Sequence, residues 1–171
     1  MDTIRIPAKR IAVYRANNGA VLKKIAQRGD ITAVLTPEGS IEIEGDGGAC
    51  WTTGLVINAI NLGFEPAKAF KLFNDDYYME VLDLDVYFDR SEKLIARYLS
   101  RVIGIEGKAK KVIEDLSDAY LSVWEHKIGI IGQYQELADA REAVKRILAG
   151  STHAGVYAYL EKNKKLRRLP R

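Results

Sequence analysis

The chain of 171 residues repeats itself, and no other feature restricts its fold so far. At an offset of 88, YRANNGAVLKKIAQRGDITAVL falls on SRVIGIEGKAKKVIEDLSDAYLSV within a few positions, pairing Gly19 with Gly107, Ile25 with Ile113 and Asp30 with Asp118. One residue is then lost in a turn. At an offset of 87, SIEIEG falls on KIGIIG, with Ile41 on Ile128, Ile43 on Ile130 and Gly45 on Gly132, and further on Gly63 meets Gly150. The pattern predicts a duplicated unit of about seventy residues, near the lower end of what folds independently. The expected division is residues 1–75, including a joining helix, and 76–171, including a basic C-terminal tail.

Each unit reads in the same order. In the second, Tyr78 to Asp85 alternates as a strand, and Ser91 is placed to cap a helix carrying Leu94, Ile95, Tyr98, Leu99 and Val102. Gly104 to Gly107 breaks that helix. Ala109, Val112, Ile113 and Leu116 resume a period near 3.6, AYLSVWE and KIGIIG form a hairpin about His126, and Glu136 to Leu148 makes a third helix stopped by Gly150. The first unit runs from TIRIP through a helix around Ala12, a loop at Asn17, a helix from Ala20 to Gln27, a hairpin at Pro37 to Gly39 and a helix ending at Gly63. The order β-α-α-β-β-α, antiparallel strands backed by helices, is an α+β fold.

This order, with a Gly-x-x-Gly turn between the first two helices, resembles the type I KH domain. The fold that the resemblance implies is two tandem KH-like domains, each with a three-stranded antiparallel sheet. A KH domain clamps about four single-stranded nucleotides at that turn, phosphates on the loop and bases over an apolar floor. Glycines let the sugar-phosphate backbone approach the main chain, and the free N–H groups opening the next helix face an anion with the helix dipole behind them. Ile103, Ile105 and Val112, with alternate residues of Tyr120 to Val123, are the candidate floor. The loop is no P-loop, because Lys108 is followed by Ala109 where a magnesium-binding hydroxyl is needed, and GDGGAC at Gly45 to Cys50 lacks the spacing of a dinucleotide fingerprint.

Net charge is only +3, but the charges are blocked. From Asp2 to Arg28 there are seven basic residues and one acidic, and from Lys93 to Ile113 six basic residues against Glu106. Residues 64–92 carry eight carboxylates against three basic groups, and the last ten carry six positive charges. Such blocks suit a polyanion. Lys162 to Arg171 reads equally as an RNA-contacting tail or a frayed terminus. Cys50 has no partner for a disulfide, and His126 and His153 are too few for a zinc framework, so no cofactor or metal is expected. The acidic run Asp75, Asp76, Glu80, Asp83 and Asp85 reads as solvated surface. Trp51 and Trp124 read as core-covering residues before base-stacking ones, and His153 as a helix-entry residue. The longest apolar run, LVINAINLGF, is too short and polar to span a bilayer, and no leader pattern follows Met1, so the expected location is the cytoplasm with no membrane partner.

Three longer strings, IPAKRIAVYRANNGAVLKKI, GFEPAKAFKLFNDDYYMEVLDL and AREAVKRILAGSTHAGVYAYLEK, together resemble the archaeal branch of the partner-of-Nob-one family over nearly the whole chain. That resemblance implies a non-catalytic protein binding the 3′ end of small-subunit ribosomal RNA during subunit maturation. It also implies two protein partners, a PIN-domain rRNA endonuclease and the α subunit of translation initiation factor two. The family's intact loop falls on Gly104, Ile105, Glu106 and Gly107, with Arg101 and Ile103 before it and Lys108 and Lys111 after it. The first unit's loop falls on Ala16, Asn17, Asn18 and Gly19, preceded by Arg15. It departs from the pattern at Ala16, which resists the positive φ open to glycine, and Glu106 sets a carboxylate where phosphate is expected. The alternative is a scaffold that holds a nuclease or translation factor and binds little RNA itself.

Overall fold

The structure, a computed structural model, describes residues 2–169. The chain divides into two compact units, Met1–Tyr77 and Tyr78–Arg171. In the first, β1 (Asp2–Arg5) is followed by α1 (Ile11–Gly29), β2 (Thr32–Leu35), β3 (Ser40–Glu44), α2 (Gly47–Asn61) and a short α3 (Pro66–Ala69), which continues as a 3-10 turn at Phe70–Phe73. The sheet is antiparallel in the order β1-β3-β2, with Ile4 opposite Ile41 and Ala33 opposite Ile43. Ile41 and Ile43 are fully buried and alternate with Glu42 and Glu44, so the period-2 pattern puts one face of β3 into the core. Asp46 accepts a hydrogen bond from Gly48 N at 3.0 Å and starts α2, whose Val56, Ile57 and Ile60 are buried. Within this core the Tyr14 hydroxyl donates to Asn61 Oδ1 at 3.0 Å and lies 3.2 Å from Ile57 O, and burial pushes its pKa up.

The second unit repeats the topology. Its elements are β4 (Tyr77–Asp83), α4 (Leu84–Tyr87), α5 (Glu92–Ile103), α6 (Lys108–Ser117), β5 (Tyr120–Trp124), β6 (Lys127–Gln133), α7 (Tyr134–Leu148) and α8 (His153–Arg167), with the sheet in the order β4-β6-β5. β4 stops two residues before the expected Asp85 because the Asp83 carboxylate accepts from Asp85 N at 3.0 Å and turns the chain into α4. At the start of α7 a Gln133/Glu136 capping box closes two free amides.

The repeat holds in detail. Ile25 and Ile113 are both fully buried, and Asp30 and Asp118 both end a helix in the left-handed conformation, at φ 51° and 64°. A Cβ on Gly45 would lie 2.6 Å from Ile31, and one on Gly132 3.1 Å from Ala119, the residue 88 positions after Ile31.

The C-terminal region corrects one expectation. Lys162 to Arg167 form neither a tail nor a frayed end but the last turns of α8, started by Thr152, whose hydroxyl accepts from Gly155 N. Residues 170–171 lie outside the described residues. The Arg167 guanidinium pairs with the buried Asp139, which also accepts from Gln135 and Asn163, and it donates to the carbonyls of Leu116 and Ser117 at 2.9 and 3.1 Å. Lys164 donates to Asp115 O and to Asp118 Oδ1. Burial pushes the Asp118 carboxyl up, but the hydrogen bonds and charges of Lys164 and Arg167 outweigh it and hold it below its usual range. These two cations cap the C-terminus of α6, where the helix dipole favours positive charge.

Candidate nucleic-acid interface

The junction between α5 and α6 is built by two glycines with different needs. Amphipathic α5 buries Ile95 and Val102 and ends as Gly104 N donates to Ser100 O at 2.8 Å. Gly104 then adopts φ 74° and ψ 176°, a region open essentially to glycine alone. Any Cβ there would also lie 2.6 Å from Ala109 Cβ and 2.7 Å from Ala109 N, so Gly104 lets the loop close on the first turn of α6. Glu106 and Gly107 follow in the left-handed region at φ 54° and 75°. Around Gly107 there is open space, so its constraint is φ alone.

The first turn of α6 follows directly, with Lys108 N donating to Ile105 O and the side chains of Lys108 and Lys111 exposed beside it. Neither lysine forms an ion pair among the described residues. Lys110 differs: its ammonium pairs with Glu114 at 3.3 Å, and Glu114 also accepts from Leu121 N on the edge strand β5. Two free cations at a helix N-terminus make an anion site. Ile105 projects from the turn at 82% exposure, and Glu106 is exposed, with no ion pair among the described residues. Of the candidate floor, Ile103 and Val112 are half-buried, Leu121 and Val123 are taken by the core, and Tyr120 is left half-exposed.

Arg101 stands elsewhere. Its guanidinium donates to Ile147 O at 3.3 Å and Ser151 O at 2.6 Å, closing the end of α7, while His153 Nε2 donates to the Arg101 carbonyl at 2.8 Å. The first unit does the same with Arg10, which donates to Ile60 O and Phe64 O, the carbonyls 87 residues before those of Ile147 and Ser151. Arg101 therefore ties α5 to α7.

In the first unit, Ala16 takes φ −57° and ψ 146°, and the left-handed turn moves onto Asn17, Asn18 and Gly19 at φ 50°, 55° and 73°. Asparagine tolerates this region better than most residues, which explains the paired Asn. Arg15, Asn17 and Asn18 are exposed and Gly19 is half-buried.

Other groups fall outside the site. Glu80 pairs with Arg141 at 2.9 Å and Asp85 with His126 at 3.0 Å, and no cluster among the described residues is arranged to hold a metal ion. Trp51, expected over the core, is 68% exposed on α2, since its neighbours Cys50 and Thr53 take the buried face; Trp124 is half-buried on β5. No helix among the described residues is long and apolar enough to cross a membrane.

Two antiparallel three-stranded sheets of one topology, with a left-handed turn that breaks α1 at residues 16–19 in the first unit and joins α5 to α6 in the second, define a protein of tandem type I KH domains. The family described as "Eukaryotic type KH-domain (KH-domain type I)", for the second KH domain of PNO1, matches residues 78–165. A KH domain-containing protein of Methanocaldococcus jannaschii is 34% identical over 169 residues, 96% of this chain and 74% of that protein. The chain belongs to the partner-of-Nob-one (PNO1) family of KH proteins, which is not a known enzyme family. A "Pre-rRNA-processing protein PNO1" of Coccidioides immitis is 31% identical over 105 residues, 61% of this chain and 41% of that longer protein. Among solved structures, one chain of the a/eIF2alpha-aDim2p-rRNA complex of Pyrococcus horikoshii matches with a TM-score of 0.85 and 32% identity, covering 96% of this chain and 93% of that one.

Proposed function

We propose that this protein binds single-stranded RNA at the 3′ end of the small-subunit ribosomal RNA, as a non-catalytic cytoplasmic factor in subunit maturation. The observation that carries it is the α5–α6 junction, where glycine-permitted backbone sets the amides of the α6 N-terminus beside the exposed Lys108 and Lys111, both free of carboxylates among the described residues. A phosphate is held by these amides and the two ammonium groups, Gly104 and Gly107 allow its close approach, and adjoining bases cover Ile105 and the half-buried Ile103. Glu106 is exposed and in no ion pair among the described residues, so its carboxylate is free to turn to solvent. The rRNA in the Pyrococcus complex supports this ligand, and the initiation-factor subunit in the same complex supports a second, protein partner. In the first unit, Arg15, Asn17, Asn18 and Gly19 form a weaker phosphate contact.

The test measures fluorescence anisotropy of an oligonucleotide matching the rRNA 3′ end, against a scrambled one, at several salt concentrations. Gly107→Asp is the sharpest variant, because aspartate tolerates the left-handed backbone, meets no neighbour, and puts a carboxylate in the anion site. It is expected to abolish specific binding without altering the fold. Removing Lys108 and Lys111 together should flatten the logarithmic salt slope by about 0.7, the share of the one phosphate they hold on a single strand. Equal affinity for both sequences, or unchanged binding by Gly107→Asp, refutes the reading.

A further inference from the structure

The first unit carries a groove that its repeat does not. α1 beyond its loop and the α3 segment enclose a cavity of about 570 Å³, lined by Asn17, Val21, Lys24, Gln27, Arg28 and Phe70 among others. These α1 residues lie on the flank toward α3, whereas Ile25 and Gly29 are buried, Gly29 against Thr53 of α2, Ile31 and Phe73. Offset by 88, Lys24 and Arg28 fall on Val112 and Leu116. The second unit makes this flank apolar and packs 15-residue α8 along α6, with Leu116 against the core. In the first unit the corresponding helix is α3, four residues long, and the flank stays open and positive.

The open flank has specific chemistry. Lys24 and Arg28, one turn apart, are exposed and in no ion pair among the described residues. The Arg28 guanidinium lies 5.1 Å from the centroid of the Phe70 ring, a flat cationic and aromatic surface of the kind on which bases stack. Asn17 and Gln27 add amides that both donate and accept, suited to base edges.

We infer that this groove is a second single-stranded RNA subsite, taking one or two nucleotides with a phosphate on Lys24 and Arg28 and a base against Phe70. It adjoins the first unit's loop at Asn17 but is centred on Lys24, Arg28 and Phe70, in a different unit from the α5–α6 loop, and it rests on the RNA-binding reading above. Charge decides the ligand class: paired free cations select a polyanion, and a stacking surface with two amides favours a nucleotide over an acidic peptide.

The full chain is tested with two RNAs from the rRNA 3′ end, one of about five nucleotides, enough for a single KH loop, and one of about twelve. K24A/R28A is expected to weaken the longer RNA five- to tenfold and flatten its salt slope by about 0.7 to 1.4, leaving the shorter unaffected. Crosslinking of 4-thiouridine-substituted long RNA should mark the peptide containing Phe70. Unchanged affinity and slope for the long RNA, while Gly107→Asp still abolishes binding, overturns the groove alone and leaves the loop reading standing. An equal loss for both RNAs overturns it too, as a general charge effect. Unchanged RNA binding with a lost response to a poly-glutamate peptide marks a protein-docking groove and also overturns it. Failure of Gly107→Asp to affect the short RNA counts against the loop reading instead.

Discussion

The two halves solve the same packing problem with opposite chemistry. Where the first unit buries Tyr14 bonded to Asn61, the second has Val102 and Leu148, an apolar pair at the same two positions. Where the second buries an ion pair, Asp139 with Arg167, the first has Thr52 at the position of Asp139 and no helix long enough to supply the arginine. Each unit buries a polar tie that the other lacks, at a different place, around a shared set of isoleucines. The shared positions set the fold, and the differing ones decide which flanks are closed and which stay available to ligands.

The comparison can be broken most severely at Asp139. Asp139→Ala removes the buried acceptor shared by Arg167, Gln135 and Asn163, while Arg167 keeps Asp118 and the carbonyls of Leu116 and Ser117; the expected cost is about 3 kcal/mol, read in chemical denaturation as an early transition of the second unit. A loss below about 1 kcal/mol would show that α8 is held by its apolar contacts alone. At Tyr14 the effect is smaller. Tyr14→Phe strips the hydroxyl from Asn61 Oδ1 and should cost about 1–3 kcal/mol, whereas Tyr14→Val with Asn61→Leu, which installs the second unit's pair, should cost less than the sum of the two single changes. Additive costs would mean that the two pairs are not interchangeable. Smallest is Ala16→Gly. Ala16 already sits at negative φ, so glycine gains nothing in the folded loop and loosens the unfolded chain; a loss of about 0.4–1 kcal/mol is expected with no gain in RNA affinity. Tighter binding would show that Ala16 is what separates the loops.

Much of this was legible in the residues. The offsets of 88 and 87 foretold both sheets, and the paired Asp30 and Asp118 share a left-handed helix end, although nothing in the sequence assigned them that conformation. The element order and the helix–helix turn defined the KH fold. Two features were hidden for one physical reason, that their partners lie far along the chain: main-chain carbonyls for Arg101, and carbonyls together with the Asp118 and Asp139 carboxylates for Lys164 and Arg167. Arg101 reads as a cation beside a phosphate loop, but its acceptors are Ile147 O and Ser151 O. Lys164 and Arg167 read as a tail, though α8 could have been found from Thr152 as a cap and Val156 and Leu160 at helical spacing. The groove beside Phe70 was hidden because Lys24 and Arg28 look like any solvated pair until set against Val112 and Leu116.

Ile105 has a thermodynamic consequence. A large aliphatic side chain held almost wholly in water by a glycine-bounded turn is sheltered when bases lie over it. Burying apolar surface lowers heat capacity, so binding enthalpy should grow more favourable with rising temperature, a behaviour that charge neutralisation alone does not give. On the proposed reading, charge would draw the strand to the turn, and the exposed isoleucine would tie the grip to how well the strand excludes water.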